Sequence, residues 1–149
     1  MCSSDLRLLA PFEPDVVVLD GYLYLLTAPM LGAFPNRIIN LHFSDLTLRR
    51  ADGRPAYAGI RAVRDAVFDG RTETRATVHL VDAEPDDGAP ILLSWPFAVP
   101  PLVEDGRRWR ATEMLKAYAF AHQEWMLRAA SGPMLRAALE LVEIGRAHV

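Results

Sequence analysis

The sequence predicts an α/β domain with a mainly parallel sheet, flanking helices and a helical C-terminal stretch. Three observations predict it. Short, continuously apolar, β-branched runs recur, of the kind that suits strands buried on both faces. Segments with helical spacing alternate with those runs. Gly, Pro and acidic turn residues punctuate the joins.

The first run, Asp15-Val-Val-Val-Leu-Asp20, closes at Gly21 and reads as a strand. Thr27 then offers an N-cap, with Pro29 in the first turn of a short helix. Arg37 to His42 is a second strand, and Leu48 to Pro55, holding the turn pair Asp52-Gly53, is a loop or small hairpin. Ile60, Val63, Ala66 and Val67 fall at helical spacing, with Gly70 as the stop. Thr77 to Val81 is a third strand, followed by an acidic loop from Asp82 to Ala89. Pro90 to Trp95 is a fourth strand, ended by the proline cluster Pro96 to Pro101. Leu115, Tyr118, Ala119, His122, Trp125, Met126 and Ala129 mark one stripe of a long helix, which Gly132-Pro133 is expected to interrupt before a shorter one.

The composition is that of a packed core, 51% hydrophobic and 23% charged. A net charge of −3 lacks the basic excess of a nucleic-acid-binding surface, and no apolar run reaches the roughly 20 residues that span a bilayer. A cytoplasmic protein without nucleic-acid or membrane partners is expected. The two ends carry a peculiarity. Ile144 to His148 can be encoded ATC GGA AGA GCA CAC, whose reverse complement, GTG TGC TCT TCC GAT, reads from a GTG start as Met1 to Asp5. The mirror extends to Glu143 and Leu6. Such symmetry has no protein-level reason and points to adapter-derived residues at 1–6 and 143–149. Within that expectation the native part holds no cysteine, since Cys2 is the only one, so disulfide frameworks and thiolate metal sites are excluded.

In open α/β sheets ligands bind outside the carboxyl ends of strands, and there the polar residues of interest fall. In Asn40-Leu41-His42 strand alternation points Asn40 and His42 to one face and Leu41 to the other. An amide donor beside an imidazole can stabilise an oxyanion and move a proton near neutral pH. The same pair also reads as a strand-end turn contact and a surface histidine. Asp86-Asp87-Gly88 could present a carboxylate to His42 on a tight turn, or be a solvated acidic loop. His79 reads equally as a satisfied structural histidine, and His122, on its helix stripe, is expected to be structural.

Three segments together resemble the folate-dependent formyltransferases. Asp20-Gly21-Tyr22-Leu23-Tyr24-Leu25-Leu26 resembles their Gly-aromatic-Met/Leu-x-Ile/Leu-Leu segment. Phe34 to Ser44 is similar to Gly-Arg-Ile-Leu-Asn-Ile-His-Pro-Ser. Thr77 to Val81 with Asp86-Asp87-Gly88 is similar to Thr-Val-His-x-Val and Asp-x-Gly-Pro. The resemblance covers Phe12 to Trp95. It implies a Rossmann-like formyltransferase fold lacking its N-terminal strands, with a partial catalytic domain at 7–103 and a helical segment at 104–142. It implies formyl transfer from 10-formyltetrahydrofolate, a co-substrate, to an amine of a small-molecule acceptor, without a metal. Asn40 would hold the formyl oxygen, His42 would stabilise the oxyanion, and Asp86 would keep His42 charged and help deprotonate the amine. Leu25 and Leu26, with Val81, Asp82, Ala83 and Glu84, would line the pterin pocket, and Ser44, His79 and Gly88 would support the site.

The departures from the family pattern concern the acceptor side. Its Pro-Ser-Leu-Leu-Pro is here Phe43-Ser44-Asp45-Leu46-Thr47, a polar insertion spans Leu48 to Pro55, and Gly-Leu-His becomes Gly59-Ile60-Arg61. The Asp-x-Gly-Pro proline is displaced to Pro90. Hydrolysis of formyl-folate, formylation of a sugar amine and a non-catalytic folate-binding remnant are the alternatives. Methionyl-tRNA formylation would require a C-terminal RNA-binding domain in place of the helix around Leu115 to Ala129. A dinucleotide-binding oxidoreductase lacks its Gly-x-Gly-x-x-Gly turn here. With sheet neighbours absent, the polypeptide alone is expected to be poorly soluble or inactive, although the parent gene would encode an enzyme.

Overall fold

The computed structural model describes residues 2–147. Helix α1 (Cys2–Leu9) and a single 3-10 turn (Ala10–Phe12) lead into strand β1 (Val17–Asp20), helix α2 (Ala28–Ala33) and strand β2 (Ile38–His42). Helix α3 (Ala62–Phe68) precedes β3 (Glu73–Thr74), β4 (Thr77–Leu80), β5 (Pro90–Leu93) and β6 (Phe97–Ala98). Helices α4 (Pro101–Arg108) and α5 (Thr112–Ala147) complete the described residues. No helix among the described residues is long and apolar enough to cross a membrane.

The α/β class holds, and the sheet order is β1-β2-β4-β5. Parallel pairing is confined to β1 and β2, while β2–β4 and β4–β5 run antiparallel. This corrects the expected balance of pairing for the described residues. The physical reason is that a strand covered on both faces reads as an apolar run whichever way its neighbour points. Here β2 sends Ile39 and Leu41 to one face, where Met126, Ala130, Met134 and Ala138 of α5 cover them. It sends Ile38 to the other, against Met30, Phe34, Leu6 and Leu9.

Helix α5 is continuous over 36 residues and contains Pro133. The expected break at Gly132-Pro133 is therefore absent. Proline there removes one amide donor, whereas Ala130, Met134 and Ala138 on either side are fully buried in the core. Packing of an apolar face outweighs the local cost. Three further elements escaped the sequence. Helix α4 packs Val103 against Val67, Leu115 and Ala119. The two-residue strands β3 and β6 pair with each other, β3 in the stretch after the Gly70 stop and β6 inside the proline cluster. The stretch from Leu48 to Pro55 is the small hairpin, closed by an Arg49–Pro55 bridge and the Arg50 N–H to Arg54 carbonyl bond of 2.9 Å.

Candidate active site

The antiparallel register of β2 and β4 sets Asn40 opposite His79 and His42 opposite Thr77. Odd and even positions sort as the alternation demands: Leu41 and Val78 enter the core, and Asn40, His42 and His79 face a cleft of about 360 Å³. The volume is within the range of small-ligand sites. Asn40 Nδ2 and His79 Nε2 lie 3.2 Å apart, and His79 Nδ1 lies 2.8 Å from the Leu80 carbonyl oxygen. A neutral His79 satisfies both contacts, donating from Nδ1 to Leu80 and accepting at Nε2 from the Asn40 amide. Burial pushes the His79 pKa down, against smaller upward pulls from the Leu80 carbonyl, Asp86 and Asp82, so the neutral form is the consistent one. That contact uses one of the two Asn40 amide hydrogens, and Asn40 borders the cleft.

Asp86 arrives from the β4–β5 loop at a positive φ of 56°, a conformation Asp tolerates better than most residues. Its Oδ1 lies 3.4 Å from His42 Nδ1 and 3.9 Å from His79 Nε2. Its Oδ2 accepts from the Gly59 N–H at 2.7 Å. The expectation that Asp86 holds His42 charged at rest needs correcting. Burial lowers the His42 pKa more than Asp86 raises it; His79 adds to the lowering, and the nearby Tyr57 carbonyl opposes it. The resting imidazole is thus biased to the neutral form, with a carboxylate beside it ready to favour a proton once one arrives. His42 Nε2 is buried without a hydrogen-bond partner among the described residues. With the proton on Nδ1, Nε2 presents only a lone pair there, a smaller penalty than a buried N–H.

Every residue expected to line the pterin pocket borders the cleft: Leu25, Leu26, Val81, Asp82, Ala83 and Glu84. Ser44 and Gly88 stand behind it. Ser44 Oγ donates to the Tyr57 carbonyl at 2.6 Å, tying down the strand of chain that returns past His42. Gly88 packs so tightly that a Cβ there would meet the Leu80 carbonyl oxygen at 1.8 Å. Only glycine permits that approach, which keeps Leu80 in place for His79. His122 is 3% exposed, with Nδ1 and Nε2 paired to Tyr118 and Thr74 at 2.8 and 2.7 Å. It braces α5 against β3 and does not border the cleft. Gln123, the next residue, does. Sequence reasoning missed it because it followed only the apolar stripe of α5, and Gln123 is the polar residue just off that stripe. The Gly59-Ile60 wall was noted as a departure from a pattern and not as a lining.

A model of the formyl transferase family matches residues 4–126. The chain belongs to that family. The chain is 41% identical over 90 residues to phosphoribosylglycinamide formyltransferase of Mycobacterium tuberculosis H37Rv, covering 60% of the chain and 38% of that protein. Over 106 residues it is 31% identical to formyltetrahydrofolate deformylase of Escherichia coli K12, covering 71% of the chain and 32% of that protein. Among solved structures, glycinamide ribonucleotide transformylase 1 from Symbiobacterium toebii superposes with a TM-score of 0.57 at 37% identity, over 80% of this chain and 53% of that one. The chain thus spans less than two-fifths of the length of these two curated relatives.

Proposed function

We propose that this chain carries the formyl-transfer site of an enzyme that takes a formyl group from 10-formyltetrahydrofolate and passes it to an amine of a small-molecule acceptor. The observation that carries the reading is the convergence of Asn40, His42 and Asp86, from one strand and a loop, on an apolar-walled cleft. The fit to the donor is chemical. Leu25, Leu26 and Val81 offer apolar walls for a flat ring, and Asp82, Ala83 and Glu84 border the same cleft. The bound folate supplies the activated formyl carbon.

The residues of the chain would act as follows. The other amide hydrogen of Asn40, held in orientation by His79, donates to the formyl oxygen as negative charge grows on it. His42, neutral at rest, receives a proton as the amine attacks, and Asp86 lies 3.4 Å away to stabilise the imidazolium that forms. The proton then passes to the departing folate nitrogen. Gln123 and the Gly59-Ile60 wall stand on the cleft beside these groups and would contact the acceptor.

A second reading is hydrolysis, with water in place of the amine. The deformylase match supports it, because it covers more of this chain than the purine-enzyme match does, 71% against 60%. Formyl release from 10-formyltetrahydrofolate, measured on the product of the complete gene with and without a panel of amines, separates the two. Amine-dependent release lost in His42→Ala establishes transfer, and amine-independent release lost in the same variant establishes hydrolysis. Folate binding with no release under either condition overturns both and leaves a non-catalytic binding module.

A further inference from the structure

We propose that the hairpin spanning residues 48–56 is a strut for the Asp86 loop, and that Arg49, acting through Asp87, is a positioning residue of the site. The proposal rests on the formyl-transfer reading above. It starts from two features that reading leaves unused: the polar insertion after His42, and the aspartate that follows Asp86.

The hairpin is rigid by its own bonds. The Ala56 N–H donates to the Leu48 carbonyl at 2.7 Å, the Gly53 N–H to Arg50 at 3.0 Å, and the Arg50 guanidinium to the Ala56 carbonyl at 2.8 Å. It is rooted in the core at Leu46, whose side chain is fully buried and whose N–H donates to Thr77 Oγ1 at 3.1 Å. From this base the Arg49 guanidinium pairs with the Asp87 carboxylate and donates to the Gly53 carbonyl at 3.3 Å.

The loop it reaches is weakly held by itself. Between Val81 and Gly88 its internal bonds are Glu84 N–H to Asp82 Oδ1 at 3.0 Å and Asp87 N–H to the Glu84 carbonyl at 3.3 Å. Asp86 nonetheless sits at φ 56°, where a non-glycine residue stays only if its surroundings hold it. Two tethers do so, and both come from one segment. Gly59 N–H takes Asp86 Oδ2, which turns Oδ1 toward His42 and His79, and Arg49 fixes the adjacent residue. The groups facing the carboxylate are therefore His42, His79 and the Gly59 amide, with Asp82, Glu84 and Asp87 as the other acidic residues of its own loop.

A bland surface ion pair is the competing account. Both side chains are about a third exposed, 32% and 37%, and such pairs contribute little to stability. The two accounts separate cleanly, because a strut acts on geometry at the site while leaving global stability nearly unchanged.

The test uses the complete gene product with wild type, Arg49→Ala, Asp87→Ala, the double variant, Arg49→Lys, and His42→Ala as the reference for the underlying reading. Removing either partner is expected to lower kcat about 10-fold, since a small misplacement of a reacting group costs this order of rate, with KM for the folate donor and the melting temperature nearly unchanged. The double variant should be no worse than either single one, and Arg49→Lys should restore part of the rate. An NMR titration of His42, independent of turnover, should show its pKa fall further in Arg49→Ala as the counter-charge of Asp86 loosens. Wild-type kcat and an unmoved His42 titration in Arg49→Ala, with His42→Ala inactive, overturns the strut alone. Full activity in His42→Ala overturns the formyl-transfer reading, and the titration then still decides the strut.

Discussion

Gly88→Ala tests the link between packing and the site most directly. A Cβ built there stands 1.8 Å from the Leu80 carbonyl oxygen and 2.8 Å from its carbon, with His79 Nδ1 at 3.5 Å. Comfortable contact needs about 3.5 Å, so the two backbones must part by about 1.5 Å or more. No rotamer relieves this, because the obstacle is main chain. The displaced carbonyl is the one that accepts from His79 Nδ1, and the Leu80 N–H bond to the Ala89 carbonyl at 2.9 Å crosses the same gap. Overpacking plus one weakened hydrogen bond gives a loss of about 3 kcal/mol. For a chain of this length that is a fall in Tm of about 9 °C. Thermal unfolding followed by circular dichroism measures it. Gly53→Ala is the control, since its φ is 82° but nothing lies within 4 Å of the new Cβ, and it should cost only about 1 kcal/mol. If Gly88→Ala melts within about 1 °C of wild type, the close approach is not the reason glycine stands there, and the argument that it fixes His79 fails.

Gly132→Ala should stabilise the protein by about 0.8 kcal/mol, because the position is helical, open and at ordinary φ; a loss of stability on denaturant titration would show that Pro133 needs its glycine neighbour. Thr77→Val keeps the shape and removes a hydroxyl that donates to the Ser44 carbonyl at 2.6 Å and accepts the Leu46 N–H at 3.1 Å. Both partners are buried, so the cost should be about 2 kcal/mol, and an unchanged denaturation midpoint would contradict it. Acid should destabilise the fold through His42, His79 and His122, all held by burial below the ordinary value of 6.5. Below pH 6.5 the unfolded chain takes up protons that the folded chain resists, so stability falls as pH drops, by up to about 1.4 kcal/mol per pH unit for each histidine, and levels off once the folded pKa values are passed. A stability that stays flat on acidification through that window would mean these rings are not neutral in the fold.

The strands that carry the site were legible because their apolar runs are short, β-branched and bounded by turn residues, and Asn40-Leu41-His42 shows its alternation in three letters. The direction of pairing was not. Val78 and Ile39 are buried on their face by α5, so β4 and β2 look alike as sequence whether they run together or opposed. The continuity of α5 was hidden for a related reason. Pro133 is a local signal, and what overrides it is contact with Ile39, Leu41 and Val78, residues far away in the chain. Strands β3 and β6 have two residues each, below the length at which any periodicity exists. Among the residues that border the cleft, Asn40, His42 and Asp86 stand out in the sequence by their motifs, while Gln123 does not, since it acquires its place only from the packing of α5; the Arg49–Asp87 contact is likewise invisible until the hairpin folds back.

The same constraint fixes both the core and the site. In the β2–β4 register, Asn40 faces His79 on the cleft side, and Leu41 faces Val78 on the core side. A slip of one residue would put His79 among Met126, Ala130 and Phe97 and turn Val78 to the cleft, so the apolar packing under α5 opposes every odd slip and keeps the imidazole on the same face as the amide. The β4–β5 register shifts between Val78 and His79, and such irregularities re-aim side chains and end pairing. Here the shift sets His79 against Pro90, a proline on the edge strand of the sheet. The loop preceding Pro90 is thereby drawn across the end of β4 until Gly88 touches Leu80 and Asp86 reaches His42. The carboxylate and the imidazole, 44 positions apart in sequence (86 minus 42), meet because the core alternation, the register shift and one glycine agree. Polar substitution of Val78 or Leu41 would therefore be expected to disturb the geometry of Asn40, His42 and His79 without touching any of them.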